Sequence, residues 1–112
     1  MLFRSLNPRK TLFGGQVLKW IDEEAAIFAI CQLGSSKIVT KAISEVNFVS
    51  TAVLGDIIEF GMDLVNVGTT SITIACDVRN KITKQSIVKI DKIVFVLLDD
   101  EGKPKPHGKT LT

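Results

Sequence analysis

The sequence predicts a single α+β domain in which an antiparallel sheet wraps around one long helix. The first observation is one convincing helical stretch, residues 14–33, which ends at Gly34 and is followed by two serines. The second is that most of the chain beyond it alternates apolar and polar residues with the period of half-buried strands. Because a helix and a sheet must each bury an apolar face, packing them against each other is the economical solution.

The predicted helix carries the feature that points to chemistry. It begins at Gly14 and Gly15, and a helix N-terminus offers unpaired N–H groups and a partial positive charge to an oxyanion or a polarised carbonyl. Asp22 follows about two turns later, at roughly 3.6 residues per turn, on a narrow face of small apolar residues. Residues 25–31 are apolar on every side, which predicts that the sheet encloses this half of the helix. A site for an electrophile beside a carboxylate favours acyl chemistry.

One short N-terminal strand and four long strands are predicted to form the sheet. The third long strand alternates most cleanly, with apolar residues from Ile72 to Val78 facing inward. The fourth is apolar on both faces near its end, as is typical of a central strand. Residues 99–102 close it, and residues 103–112 form a basic, proline-containing tail. The long strands are predicted over residues 37–48, 57–67, 71–80 and 86–98.

Composition excludes several classes of protein. The 112 residues suit one domain covering residues 1–112, and a net charge of +2 is too small for a nucleic-acid footprint. No apolar run reaches the roughly 18 residues of a transmembrane helix. Cys31 and Cys76 lie in apolar settings and are predicted to be buried free thiols, which favours a cytoplasmic location. A mean hydropathy of +0.29 predicts that some apolar surface is buried between subunits.

Several short segments recur here in the order and spacing of one known family. They are Asn7, residues 11–15, residues 20–26, residues 46–48, residues 53–56, residues 68–71 and residues 99–104. On these segments the sequence resembles the hotdog-fold acyl-CoA thioesterases over nearly the whole chain. The resemblance implies one hotdog domain that hydrolyses acyl-CoA, with no metal or redox cofactor and with coenzyme A present only as part of substrate and product. It also implies a homodimer, with dimers assembled further into a tetramer or hexamer.

The same resemblance assigns roles to individual residues. Asp22 would be the catalytic carboxylate, acting as general base on water or as nucleophile, and the sequence leaves both routes open. Asn7 would position water or the thioester from the neighbouring subunit. The residues that would bind substrate lie at the helix start and in the turn between the second and third long strands: Phe13, Gly14, Gly15, Gly68, Thr69, Thr70 and Ser71.

Other interpretations of these residues stay open. Asp22 could be a solvated helix acid, and Gly68 to Ser71 could form a plain hairpin turn. Lys10 stands where the resembling family usually has glycine, which motivates the alternative of a non-catalytic module that binds acyl-CoA or coenzyme A. His107 is the only histidine and lies in the tail, which argues against a Ser-His or Cys-His nucleophile and against the hotdog dehydratases. One histidine and two separated cysteines predict no metal site.

Overall fold

The computed structural model describes residues 2–5, 14–50 and 57–109. It contains one helix, α1 (Gly14–Leu33), and six strands that form a single antiparallel sheet. The sheet order is β1-β4-β5-β6-β2, and β3 also pairs with β6. The predicted bounds of the helix and of the strands corresponding to β4 and β5 are confirmed. The strands are β1 (Leu2–Ser5), β2 (Ile38–Ile43), β3 (Val46–Phe48), β4 (Ile57–Val67), β5 (Ser71–Asn80) and β6 (Ser86–Leu97).

The core lies between α1 and one face of β4, β5 and β6. Ala25 and Ala29 of the helix are fully buried, and their small side chains allow the helix to approach the sheet closely. On β5 every second residue from Ile72 to Val78 is buried, which confirms the alternation read from the sequence. The strand β6 lies between β5 and the β2–β3 edge, and its C-terminal half is largely buried, as predicted for a central strand.

The prediction of one continuous strand over residues 37–48 is wrong. The segment is divided into β2 and β3, both of which pair with β6. A bulge lies between Thr40 and Ala42, and the ladder is interrupted at residues 44–45. The register of β6 against β5 also shifts close to this point, between Ile74 and Cys76. A bulge changes which side chains face the core, and alternation along one strand does not reveal it, because its cause lies in the pairing of three strands.

The prediction that the sheet encloses the second half of α1 is also wrong. Ile27 is 50% exposed, and Cys31 is exposed rather than buried, whereas Cys76 is buried as predicted. The physical reason is that one sheet covers one side of a helix, and only a second layer could cover the other side. The apolar residues on the open side of α1 therefore face away from the chain's own core.

An ion-pair cluster lies on strands β4 and β5. Glu59 is 3% exposed and stands directly across from Arg79, whose Nε donates to its Oε1 at 2.6 Å. The ammonium of Lys84 lies 3.5 Å from the same oxygen. The hydrogen bond from Arg79, with the nearby charge of Lys84, lowers the pKa of the Glu59 carboxyl below its ordinary value, although burial opposes the shift. Two cations thus hold Oε1 of this buried carboxylate, which has a structural role.

Candidate active site

An apolar groove lies between α1 and the strands β2, β3 and β6. Its volume is about 410 Å³. Two of its lining residues are polar, Asp22 and Ser44, and the other seven are apolar. Such a groove suits an apolar chain whose reactive end lies beside a carboxylate. The apolar lining residues are Leu18, Ile21, Ala25, Ile43, Val46, Ile90 and Ile93.

Asp22 is placed at the groove by the geometry of the helix. Ile21 and Ala25 are buried against the sheet, while Leu18 and Asp22 are exposed one turn apart on the flank of that buried face. The carboxylate thus lies at the boundary between the groove and solvent, where it is hydrated and still borders the apolar lining. A carboxylate in this position can accept a proton from water or attack an electrophile held in the groove.

Ser44 is held on the opposite wall by two hydrogen bonds to β6. Its backbone N–H donates to the carbonyl of Lys92 at 2.8 Å, and its Oγ accepts the N–H of Lys92 at 3.0 Å. These bonds lie at the interruption between β2 and β3. There Ser44 Oγ accepts the Lys92 N–H in place of a backbone carbonyl of the ladder. The hydroxyl is therefore fixed in direction at the groove.

A second cavity of about 420 Å³ lies at the turn between β4 and β5, where the C-terminal tail packs against it. The N–H of Gly68 donates to the carbonyl of Ser71 at 2.9 Å, and a Cβ at Gly68 would lie 2.6 Å from Ser71 Oγ. A side chain at residue 68 would therefore force the Ser71 hydroxyl to rotate away, and glycine leaves this hydroxyl in place beside the turn. The cavity is lined by Val67, Gly68, Thr69, Pro106, His107, Gly108 and Lys109.

His107 fastens the tail to this turn. Its backbone N–H donates to the carbonyl of Thr69 at 3.2 Å, and its Nε2 lies 2.9 Å from the carbonyl oxygen of Ser71. The N–H of Lys109 donates to His107 Nδ1 at 2.9 Å. Since a carbonyl only accepts and a backbone N–H only donates, we assign the ring proton to Nε2. The imidazole uses both of its nitrogens to close one side of the second cavity.

The predicted site residues fall into separate places. Asp22 lines the groove, whereas Gly68 and Thr69 line the second cavity with the tail. Ser71 pairs with Val96, and the groove reaches Ile93 on the same strand. About 10 Å of strand therefore separates the groove from the residue paired with Ser71, at the end of the turn beside the second cavity, at roughly 3.3 Å per residue. The helix begins at Gly14 as predicted, while Asn7, Lys10 and Phe13 lie outside the described residues.

Sequence reasoning missed the strand residues of the groove. Ile43, Ser44 and Val46 lie near Asp22 only because β2 and β3 pair with β6 beneath α1. The sequence carries one weak signal, because the polar residues Ser44 and Glu45 interrupt the pattern between Ile43 and Val46. Their meaning depends on long-range pairing that no local pattern reports.

Three further findings concern the described residues outside the groove. No group of three or more His, Cys, Asp or Glu side chains within residues 2–5, 14–50 and 57–109 is arranged to hold a metal ion. Burial, with the nearby Asp77 carboxylate, raises the pKa of the Cys76 thiol to about 12, so this cysteine stays protonated and unreactive. In the part of the chain that the structure describes, no helix is both long and apolar enough to cross a membrane.

A family model and the curated relatives of this chain both point to thioesterases. The family model of the thioesterase superfamily matches residues 9–87. Acyl-CoA thioester hydrolase YciA from Salmonella typhimurium is 28% identical over 106 residues, which cover 89% of this chain and 79% of that protein.

Solved structures agree with this match. An acyl-CoA hydrolase from Staphylococcus aureus, solved with butyryl coenzyme A, coenzyme A and coenzyme A disulfide, is 32% identical with a TM-score of 0.82. The match covers 94% of this chain and 66% of that chain, just under two thirds of its length. Asparagine-to-alanine and aspartate-to-alanine variants of the same hydrolase match with TM-scores of 0.81 and 0.74.

A hexameric hotdog fold thioesterase from Campylobacter jejuni is also similar. It is 28% identical with a TM-score of 0.75, over 96% of this chain and 88% of that chain. The hotdog fold implied by the sequence is thereby confirmed.

Proposed function

This chain belongs to the thioesterase superfamily, and we propose that it hydrolyses acyl-CoA thioesters to a free carboxylic acid and coenzyme A. The observation that carries the proposal is Asp22 at the edge of an apolar groove of about 410 Å³. The groove suits the acyl chain, and the carboxylate lies where the thioester carbonyl of a bound chain would reach it. The names of the relatives, acyl-CoA thioester hydrolase and acyl-CoA hydrolase, support the same substrate class.

In the proposed reaction one water is consumed and one C–S bond is broken. On the general-base route, Asp22 accepts a proton from water as the water oxygen bonds to the carbonyl carbon, and the proton then passes to the departing thiolate of coenzyme A. On the nucleophile route, the carboxylate attacks the carbonyl carbon and expels the coenzyme A thiolate, which forms an anhydride with the acyl group. Water then opens the anhydride, restores the Asp22 carboxylate and supplies the proton that the thiolate takes up. The backbone N–H groups at the helix start, Gly14 and Gly15, would stabilise the negative charge that develops on the carbonyl oxygen.

The assignment of Asp22 and Asn7 as catalytic residues is part of the proposal. The asparagine and the aspartate substituted in the two Staphylococcus aureus variants are separated by the same number of residues as Asn7 and Asp22. This spacing supports equivalent positions for both pairs. Phe13, which immediately precedes Gly14 in the sequence, would then contact the substrate near the thioester.

The coenzyme A end of the substrate is assigned to the second cavity. Gly68 and Thr69 line it, and Thr70 and Ser71 complete the turn. The lysines of the tail, among them Lys109 at the cavity wall, provide positive charge for phosphate groups. An extended pantetheine arm can span the short length of β6 between this cavity and the groove.

We further propose that copies of this chain associate through the β2–β3 edge. This edge is apolar and exposed: Val39, Ile43, Phe48 and Val49 are each about half exposed. Unpaired strand edges with apolar side chains are normally covered. The Campylobacter jejuni relative is hexameric, which supports assembly of dimers into a hexamer. Sedimentation of Ile43→Lys should show loss of the dimer, and an unchanged dimer would contradict this interface.

The proposed hydrolase is cytoplasmic and works without a cofactor. Cys31 and Cys76 are both free thiols, as is usual for proteins of a reducing compartment, and this supports the cytoplasm. The hydrolysis described above requires no metal or redox cofactor, since water, a carboxylate and backbone N–H groups supply every step.

The test is a thiol-release assay with a panel of acyl-CoA esters of increasing chain length. We expect turnover of at least one ester, with kcat/KM falling once the chain exceeds what the groove can hold. Thermal stabilisation by coenzyme A without any turnover would instead identify the chain as the non-catalytic binding module. Absence of both turnover and stabilisation would contradict the proposed substrate class.

A further inference from the structure

Ser44 has a hydrogen-bonding capacity that the fold does not use. Its Oγ accepts the N–H of Lys92 at 3.0 Å, and within the described part of the chain its own hydroxyl proton is donated to no other group. The residue is half-buried and lines the same groove as Asp22. A hydroxyl that carries one fixed acceptor bond has one strong direction left in which to donate.

The surroundings of this hydroxyl make the unused donor important for binding. All groove residues other than Asp22 and Ser44 are apolar. A saturated acyl chain seated in the groove would displace water from the hydroxyl and offer no acceptor in return, which is unfavourable. An acyl chain that carries an oxygen in the right position would replace that water with a direct hydrogen bond.

From this arrangement we propose that Ser44 selects acyl groups with a hydroxyl or keto oxygen close to the thioester. The inference rests on the proposed function, because it assumes that the acyl group occupies the groove beside Asp22. Ser44 contacts the substrate in this account but takes no part in breaking the C–S bond. It determines specificity by donating its hydroxyl proton to the substituent oxygen.

The backbone fixes the hydroxyl in place before substrate binds. The N–H of Ser44 donates to the Lys92 carbonyl at 2.8 Å, so main chain and side chain are both held to the same residue of β6. A donor that is already oriented loses little side-chain freedom when substrate arrives. A site that hydrogen-bonds a substrate oxygen strongly rejects an analogue without that oxygen. An apolar pocket distinguishes much more weakly between two substrates that differ by one methylene group.

The chain provides a matched control in Ser50. This serine also binds the backbone of β6, since its Oγ donates to the carbonyl of Ser86 at 2.6 Å, and it is also half-buried. Ser50 does not line the groove. Ser50→Ala therefore removes a comparable serine–β6 hydrogen bond without touching the proposed acyl site.

The experiment compares butyryl-CoA with β-hydroxybutyryl-CoA and acetoacetyl-CoA in the native chain and three variants. The quantity measured is the ratio of kcat/KM for each oxygenated ester to that for butyryl-CoA. Differences in intrinsic reactivity cancel because the same esters are used throughout. We expect Ser44→Ala to lower the ratio for at least one oxygenated ester by roughly tenfold, the contribution of about one hydrogen bond. Ser44→Thr, which keeps a hydroxyl, should restore most of the ratio, and Ser50→Ala should leave it unchanged.

Two results would overturn the inference. One is a ratio that stays within twofold of the native value in a folded, active Ser44→Ala protein. The other is an equal fall in Ser50→Ala, which would trace the effect to stability. If the native chain turns over none of these three esters but hydrolyses another ester of the chain-length panel, the hydrolase proposal stands. That proposal fails only if no ester of the whole panel is turned over. The same comparison by calorimetric Kd then decides the role of Ser44, with a tenfold change supporting selection and an unchanged ratio rejecting it.

Discussion

The groove and the second cavity, the two cavities described above in residues 14–50 and 57–109, are built in opposite ways. The groove beside Asp22 is walled by a helix and three strands, is apolar, and contains two polar side chains with capacity left for a ligand. The cavity at the turn after β4 is walled by the turn and the tail, and it is closed by the hydrogen bonds of His107. Rigid elements thus surround the proposed reaction, while a fastened tail surrounds the proposed coenzyme site.

This difference indicates how one small chain can bind the two ends of a large substrate in separate cavities. An apolar groove suits the acyl chain, and a carboxylate at its edge suits the carbonyl. A turn with a basic tail suits a charged, flexible ligand whose recognition does not require the precision of catalysis. Substitutions in the groove should therefore change kcat, and substitutions in the tail should change KM.

The largest effect is expected from Asp22→Asn. The change keeps the size of the side chain and removes its ability to accept a proton or to attack a carbonyl. We expect kcat to fall by at least about 100-fold, the lower range for a general base, with KM little changed. Because Asp22 is exposed, the variant should fold normally, as circular dichroism and melting temperature will show.

Glu23→Gln is the control for this experiment. Glu23 is the next residue on the helix, is also exposed, and lines neither cavity. Its kcat should remain within a few-fold of native. If Glu23→Gln is inactive while Asp22→Asn is active, the catalytic carboxylate is Glu23 and the assignment of Asp22 is wrong. If both variants are active, neither helix carboxylate takes part in catalysis.

His107→Ala should separate the two cavities kinetically. Loss of the imidazole removes the bonds to the Ser71 carbonyl and the Lys109 N–H. We expect KM for acyl-CoA to rise by roughly thirtyfold at most, since the tail loses two bonds of about 1 kcal/mol each, with kcat nearly unchanged. The matching acyl-N-acetylcysteamine thioester lacks the nucleotide, so its kcat/KM should not respond. An equal loss with both substrates would show that the tail acts on the groove instead.

The smallest effect on activity is expected from the Glu59 cluster, which lines neither cavity. Glu59→Gln should lower the melting temperature at neutral pH. The native carboxyl has a pKa below the ordinary 4.5 because Arg79 hydrogen-bonds it, so its stabilisation is complete above about pH 5 and is lost as the pH falls through the lowered pKa. The difference in melting temperature between native and variant should shrink in acid. Glu101→Gln, in the exposed pair with Lys103, should show little difference at any pH.

Local patterns predicted the elements of this fold well and their surroundings less well. The bounds of α1, β4 and β5 follow from period and glycine positions, which the chain carries within each segment. The split of residues 37–48 could not be predicted, because it depends on the pairing of β6 with both neighbours. The exposure of Cys31 could not be predicted for a related reason. An apolar segment indicates that its side chains favour burial, but it does not show whether the same chain covers them.

The candidate site shows the same limit. Asp22 could be singled out from helical spacing and from the resemblance to a known family, and it does lie at a groove. Ser44 could not, because its importance comes from a hydrogen bond to Lys92, far away in sequence. The role of His107 was also hidden, since the tail appeared only as a basic segment until its contacts with Thr69 and Ser71 were known.

A crystal structure of Asp22→Asn with butyryl-CoA would test most directly the claim that the two cavities divide the substrate. The slow variant should retain the intact thioester. We expect the butyryl chain between α1 and the β2–β3 edge, in contact with Ile43 and Ile93, the thioester carbonyl beside residue 22, and the nucleotide at the turn and tail around Gly68 and His107. A butyryl chain outside the groove, or a carbonyl remote from residue 22, would contradict the account.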